Sequence, residues 1–167
     1  AYYLLGKLYG SLKDYDKATK TFEAMLAEGN AGLYEDEVMD LCGGYYALLN
    51  KPNDAAAKFN ILKRRSGSKY AEQAATKLAL LWIKAGKIDL AKAAIEDLAT
   101  LFENNPQIPS LLVQIADLYR GAKKFDECVA ICQQVITQRF GNPPGIARLR
   151  GGDKRNGRGL NSGRRRG

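Results

Sequence analysis

Small and large apolar residues recur along this chain at a spacing that returns four times. A small residue followed three positions later by a large aromatic occurs as Gly6/Tyr9, Gly43/Tyr46, Ala79/Trp82 and Ala116/Tyr119, with the aromatics 37, 36 and 37 residues apart. Nine residues after each aromatic stands another small residue, with a partner four further on: Ala18/Phe22, Ala55/Phe59, Ala91/Ile95 and Cys128/Cys132. Intervals of three and four put side chains on one helical face, so each first pair reads as a notch and a knob on a first helix, and the second pair supplies their counterparts on the second helix. Short polar or Gly-containing turns separate the two halves of each unit, at Lys13-Asp14, Asn50 to Asp54, Gly86-Lys87 and Gly121 to Lys124. Turns this short force antiparallel hairpins. Eight helices are predicted, at roughly 1–12, 15–28, 34–49, 53–65, 70–85, 88–103, 108–121 and 125–139. The hairpins should stack in sequence order, with Tyr9, Tyr46, Trp82 and Tyr119 pointing inward from equivalent positions.

At these residues the chain resembles the tetratricopeptide repeat family, whose unit carries Trp-x2-Leu-Gly-x2-Tyr, then Ala-x3-Phe, then a terminal Pro. Leu5-Gly6-x2-Tyr9 with Ala18-x3-Phe22 matches best, and Leu78-Ala79-x2-Trp82 with Ala91-x3-Ile95 matches well. Cys42 in place of Leu, Pro52 in a turn, and Cys128 with Cys132 depart from the pattern. The resemblance covers residues 1–140 and implies an all-α, right-handed solenoid of four helix-turn-helix repeats. Residues 141–167, first Pro/Gly and then Gly/Arg-rich, form a second segment expected to be disordered, because it has little apolar surface to offset its ordering entropy. Both ends read as cut, the first repeat lacking its opening residues and the fourth having no polar-faced capping helix after it.

Charge changes the picture less than the net +8 implies. Residues 146–167 hold eight basic residues and one acidic one, whereas residues 1–145 hold 18 basic and 17 acidic. A nucleic-acid surface on the helical body therefore lacks compositional support, and contact with RNA is open only to the tail. The chain has no histidine and three cysteines without a CxxC pair, so no cofactor or metal is expected and the thiols read as free. The same lack of histidine removes the commonest catalytic acid and base, and the chain reads as a non-enzyme. The acidic run Glu35-Asp36-Glu37 with Asp40 opens a predicted helix, where it offsets the positive end of the helix dipole. No apolar run is long enough to span a bilayer as a helix.

In the family the resemblance points to, ligands lie in a concave groove lined by the first helix of each repeat. Carried onto this chain, that groove holds Tyr3 and Lys7 from the first repeat, and Asp40, Gly44 and Ala47 from the second. Thr76, Leu80 and Ile83 come from the third repeat, and Val113, Asp117 and Arg120 from the fourth. The set implies a protein or peptide partner, an extended segment or an amphipathic helix gripped more by apolar contact than by charge. The basic clamp by which some relatives hold acidic chain ends is not reproduced, since its positions carry Tyr3, Lys7, Leu41, Gln73 and Lys77.

Two other functions fit parts of the sequence. Phe22 to Gly29 looks like the end of a pentatricopeptide repeat, which implies RNA binding, although the period here is longer than that family's and the ending does not recur. A docking or regulatory segment of a larger enzyme is the other. Ser66 to Ala71 looks like the start of repeats in bacterial envelope proteins, so the compartment stays open between cytoplasm and bacterial envelope.

Overall fold

A computed structural model describes residues 1–140, with side-chain surroundings as far as Thr137; the Gly/Arg-rich segment from 141 onward lies outside the described residues. The helices are α1 (Tyr2–Ser11), α2 (Tyr15–Ala27), α3 (Glu35–Leu48), α4 (Pro52–Leu62), α5 (Ala71–Lys84), α6 (Ile88–Leu101), α7 (Ile108–Gly121) and α8 (Phe125–Phe140). A single 3₁₀ turn, Gly32–Tyr34, leads into α3, and the described residues contain no strand. Each helix packs on the next in sequence, and α5 also touches α7. The result is a helical solenoid of four hairpins, with boundaries within about three residues of the sequence expectation.

The turn inside every hairpin is built the same way. Lys13, Asn50, Gly86 and Lys123 adopt positive φ, at 60°, 55°, 65° and 58°. They are spaced 37, 36 and 37 residues apart, the period of the aromatics. The next N–H in each case donates back to the carbonyl of the repeat's aromatic: Asp14 to Tyr9, Lys51 to Tyr46, Lys87 to Trp82 and Lys124 to Tyr119, at 2.9–3.0 Å. The left-handed residue donates to the carbonyl three before it. These are the two bonds of a Schellman cap, which satisfies the last carbonyls of the first helix and reverses the chain at once.

Inside the hairpins the notch-and-knob reading holds, with the second helix supplying the counterpart. Gly6 and Gly43 are the notches, and what fills them is the aromatic of the second helix. A Cβ on Gly6 would lie 2.3 Å from the Phe22 ring, and one on Gly43 would lie 2.7 Å from the Phe59 ring. Phe22, Phe59, Leu62, Leu98, Leu111 and Ile115 are the largest wholly buried side chains. The first-helix aromatics sit further out than predicted. Tyr119 is buried, but Tyr9, Tyr46 and Trp82 are only half-buried.

Candidate functional site

A cleft lies between the first helices α3 and α5 of the second and third repeats. A cavity of about 340 Å³ is bounded there by Gly44, Ala47, Leu48, Leu80, Leu81 and Lys84. A second, of about 480 Å³, opens on the other side of Leu80 against Gln73, Thr76, Asn105 and Gln107. Leu80 and Lys77 border both. A Cβ on Gly44 would touch nothing within 4 Å, so the space above this residue is open. The lining of the first cavity is mostly aliphatic with the Lys84 ammonium at its edge, which suits an apolar side chain followed by an acidic one.

Of the residues expected in the groove, Gly44, Ala47 and Leu80 border the first cavity, and Thr76 and Leu80 the second. Several others are engaged within the chain itself. Lys77 binds Asp40 through both carboxylate oxygens, at 2.7 and 2.8 Å, and Asp40 is only 8% exposed. The Tyr3 hydroxyl donates to Glu37 at 2.6 Å, and Lys7 stands 3.5 Å from the same carboxylate. The hydrogen bond from Tyr3 holds the Glu37 carboxyl below its ordinary range and raises the Tyr3 hydroxyl above its own. Thr76 is buried and meets the Asn105 amide, which also donates to Glu72 at 2.7 Å. Asp117 and Arg120 pair with each other on the surface of α7 at 2.9 Å. Ile83 is 9% exposed and belongs to the core, whereas Val113 is 50% exposed and borders neither cavity.

The acidic opening of α3 does more than complement a helix dipole. Arg65, in the segment after α4, donates to both Glu35 and Asp36, and Glu37 and Asp40 face α1 and α5. Four neighbouring carboxylates thus tie one helix end to three separate segments. A second polar junction lies at Glu23 on α2, which accepts from the Tyr46 hydroxyl at 3.0 Å and from Lys58 at 2.7 Å. Cys42 lies beside it, and burial pushes its thiol up to about 12, so it stays protonated.

Sequence reasoning missed Leu48, Leu81 and Lys84 as cleft residues. Two of them carried a readable signal, since Leu48 and Lys84 each stand four residues beyond a groove position, Gly44 and Leu80, and share its helical face. Among the described residues no cluster of three potential metal ligands occurs, and no helix is long and apolar enough to cross a membrane.

The tetratricopeptide repeat family profile matches residues 1–26, the first hairpin. No curated protein matches the chain by sequence. Among solved structures it is similar to BtubC from P. vanneervenii, at 18% identity and a TM-score of 0.57, over 99% of this chain and 69% of that one. It is also similar to MamA, at 17% identity and a TM-score of 0.56 over 83% of this chain and 74% of that one. MamA from AMB-1 gives 17% and 0.57, over 87% and 75%. At such identities these likenesses speak for the fold alone, and the fold is that of tetratricopeptide-type solenoids. The matched first hairpin and four hairpins on one period make the chain similar to tetratricopeptide repeat proteins. That class serves in general as a scaffold for protein–protein interaction.

Proposed function

We propose that the chain is a non-catalytic scaffold that holds an extended peptide or an amphipathic helix in the cleft between α3 and α5. The observation that carries this reading is the pair of cavities on either side of Leu80, with an aliphatic lining in the first. A ligand would place an apolar side chain beside Leu48 and Leu81 and continue past Leu80 toward Gln73 and Gln107. The charged residues of the groove contribute less than their number implies. Lys77, Asp40 and Lys7 satisfy one another or Glu37 across repeats, and a ligand would have to displace those bonds to use them. Among the described residues Lys84 at the first cavity and Lys69 at the second make no ion pair, so each is able to meet a ligand carboxylate without displacing an acidic partner.

Selection of peptides from a random displayed library against the whole chain tests the reading. Selected peptides should share an apolar anchor, lose binding at least tenfold on Leu80→Glu or Gly44→Leu, and keep most of their affinity as salt rises. Both variants should retain the helical circular dichroism of the parent. Selection of peptides indifferent to both substitutions would refute the cleft as the site.

A further inference from the structure

Helix α1 presents an apolar stripe that the rest of the solenoid knows how to cover. Leu5, Leu8 and Leu12 fall one period before Cys42, Tyr45 and Leu49 of α3. In α3 that face is packed on α2: Cys42 is fully buried, and Tyr45 stacks on Tyr15 and Phe22. One period later the same positions hold buried Leu78 and Leu81. In the first repeat they lie open, with Leu8 of α1 55% and Leu12 just past it 68% exposed. At the other end α8 exposes Phe125, Val129 and Ile136, three periods after Tyr15, Thr19 and Leu26, the α2 face that receives α3.

We propose that these two faces receive each other, so that copies of this chain stack head to tail with α1 of one copy on α8 of the next. The polar ties between repeats give an argument independent of the exposed stripes. Between the second and third repeats, Asp40 binds Lys77 and Lys63 binds Asp97 at 2.6 Å. Moved by whole periods to a junction of one copy's fourth repeat with another's first, the first pair becomes Val113 with Leu4 and the second Ile136 with Ala24. Both ion pairs turn into apolar contacts at once. Val113 and Leu4 are themselves exposed in the single chain. The bond from Tyr46 to Glu23 becomes Tyr9 facing Gln133, which keeps a donor and an acceptor. The contact is heterologous, since each copy offers a different face, and it extends into open rows instead of closing as a dimer.

Sedimentation and light scattering of the 167-residue chain across a concentration series test this. The molar mass should rise with concentration in steps of one chain, 18.4 kDa. Leu8→Glu and Phe125→Glu, both at exposed positions, should each leave the circular dichroism unchanged and hold the chain as a monomer. Each variant keeps one intact face, so an equimolar mixture should give a one-to-one dimer that grows no further. A wild-type chain that stays monomeric up to its solubility limit would overturn the proposal and assign the α1 face to another helix. Self-association by Phe125→Glu alone would overturn it as well, because it would mean that α1 pairs with α1.

Discussion

Asp40 and Lys77 clasp each other across the second and third repeats, and the two first helices are held together from the groove side by that pair. The aspartate is the more deeply buried partner. Removing the lysine leaves a carboxylate with little water to replace it, so Lys77→Ala should cost about 1–3 kcal/mol, discounted for the partial exposure of the lysine. Lys77→Ala combined with Asp40→Asn should cost less than the sum of the two. Urea denaturation of the singles and the double, read as a double-mutant cycle, measures the coupling; strict additivity would show that the pair contributes nothing.

Adjacent glycines in α3 should answer the same substitution with opposite signs. Gly43→Ala drives a methyl into the Phe59 ring and should destabilise by about 1–3 kcal/mol. Gly44→Ala meets open space in mid-helix and should stabilise by about 1 kcal/mol. Thermal melts of the two variants side by side give the comparison.

The hairpin turns make a similar pair. Lys13, Asn50 and Lys123 hold a left-handed conformation that glycine adopts without cost, so Lys13→Gly and Lys123→Gly should each stabilise by about 0.5–1 kcal/mol. Gly86→Ala should lose about 1 kcal/mol at the equivalent turn. Chemical denaturation midpoints at unchanged slope check both directions.

The pairing of Tyr3 with Glu37 carries a pH signature. The folded carboxyl is held low, so its contribution is complete above the unfolded value of about 4.3 and is lost as pH falls through the folded one. Glu37→Gln should therefore flatten the acid limb of the stability curve and leave the limb above pH 6 parallel to the parent. Asp14 and Asp16, also lowered by their lysine partners, should keep part of the slope. Melting temperatures across an acid series report it.

Thiol labelling separates the cysteines. Cys132 is exposed and should react with maleimide in the native chain, whereas Cys42 is buried and protonated and should react only once the second repeat opens. Mass spectrometry of partial digests locates the label.

Much of the fold was legible because its signal is repeated. Any one pair such as Gly6/Tyr9 says little, but four pairs on one period fix eight helices and their order. The second helix was legible as the source of each notch's counterpart. Spacing places Gly43 and Tyr46 on one face and pairs Ala55 with Phe59 on the facing helix, and in the packed hairpin Phe59 fills the gap. The cleft was half legible. Position in the repeat found Gly44, Ala47, Thr76 and Leu80, but it could not tell that Asp40 and Lys77, 37 residues apart, bond to each other, or that Ile83 turns into the core. Arg65 was invisible as the partner of Glu35 and Asp36, because it lies between repeats, where the period assigns no role.

Because helices pack on their neighbours in sequence and the long-range ties reach only the adjoining repeat, the described residues hold no distant clasp to resist a pull along the axis. Under tension it should yield as a row of separate springs, each hairpin letting go after its neighbour and releasing about 120 Å of chain for a period of 37 residues. The row would recoil as readily, since every contact to be remade lies close along the chain.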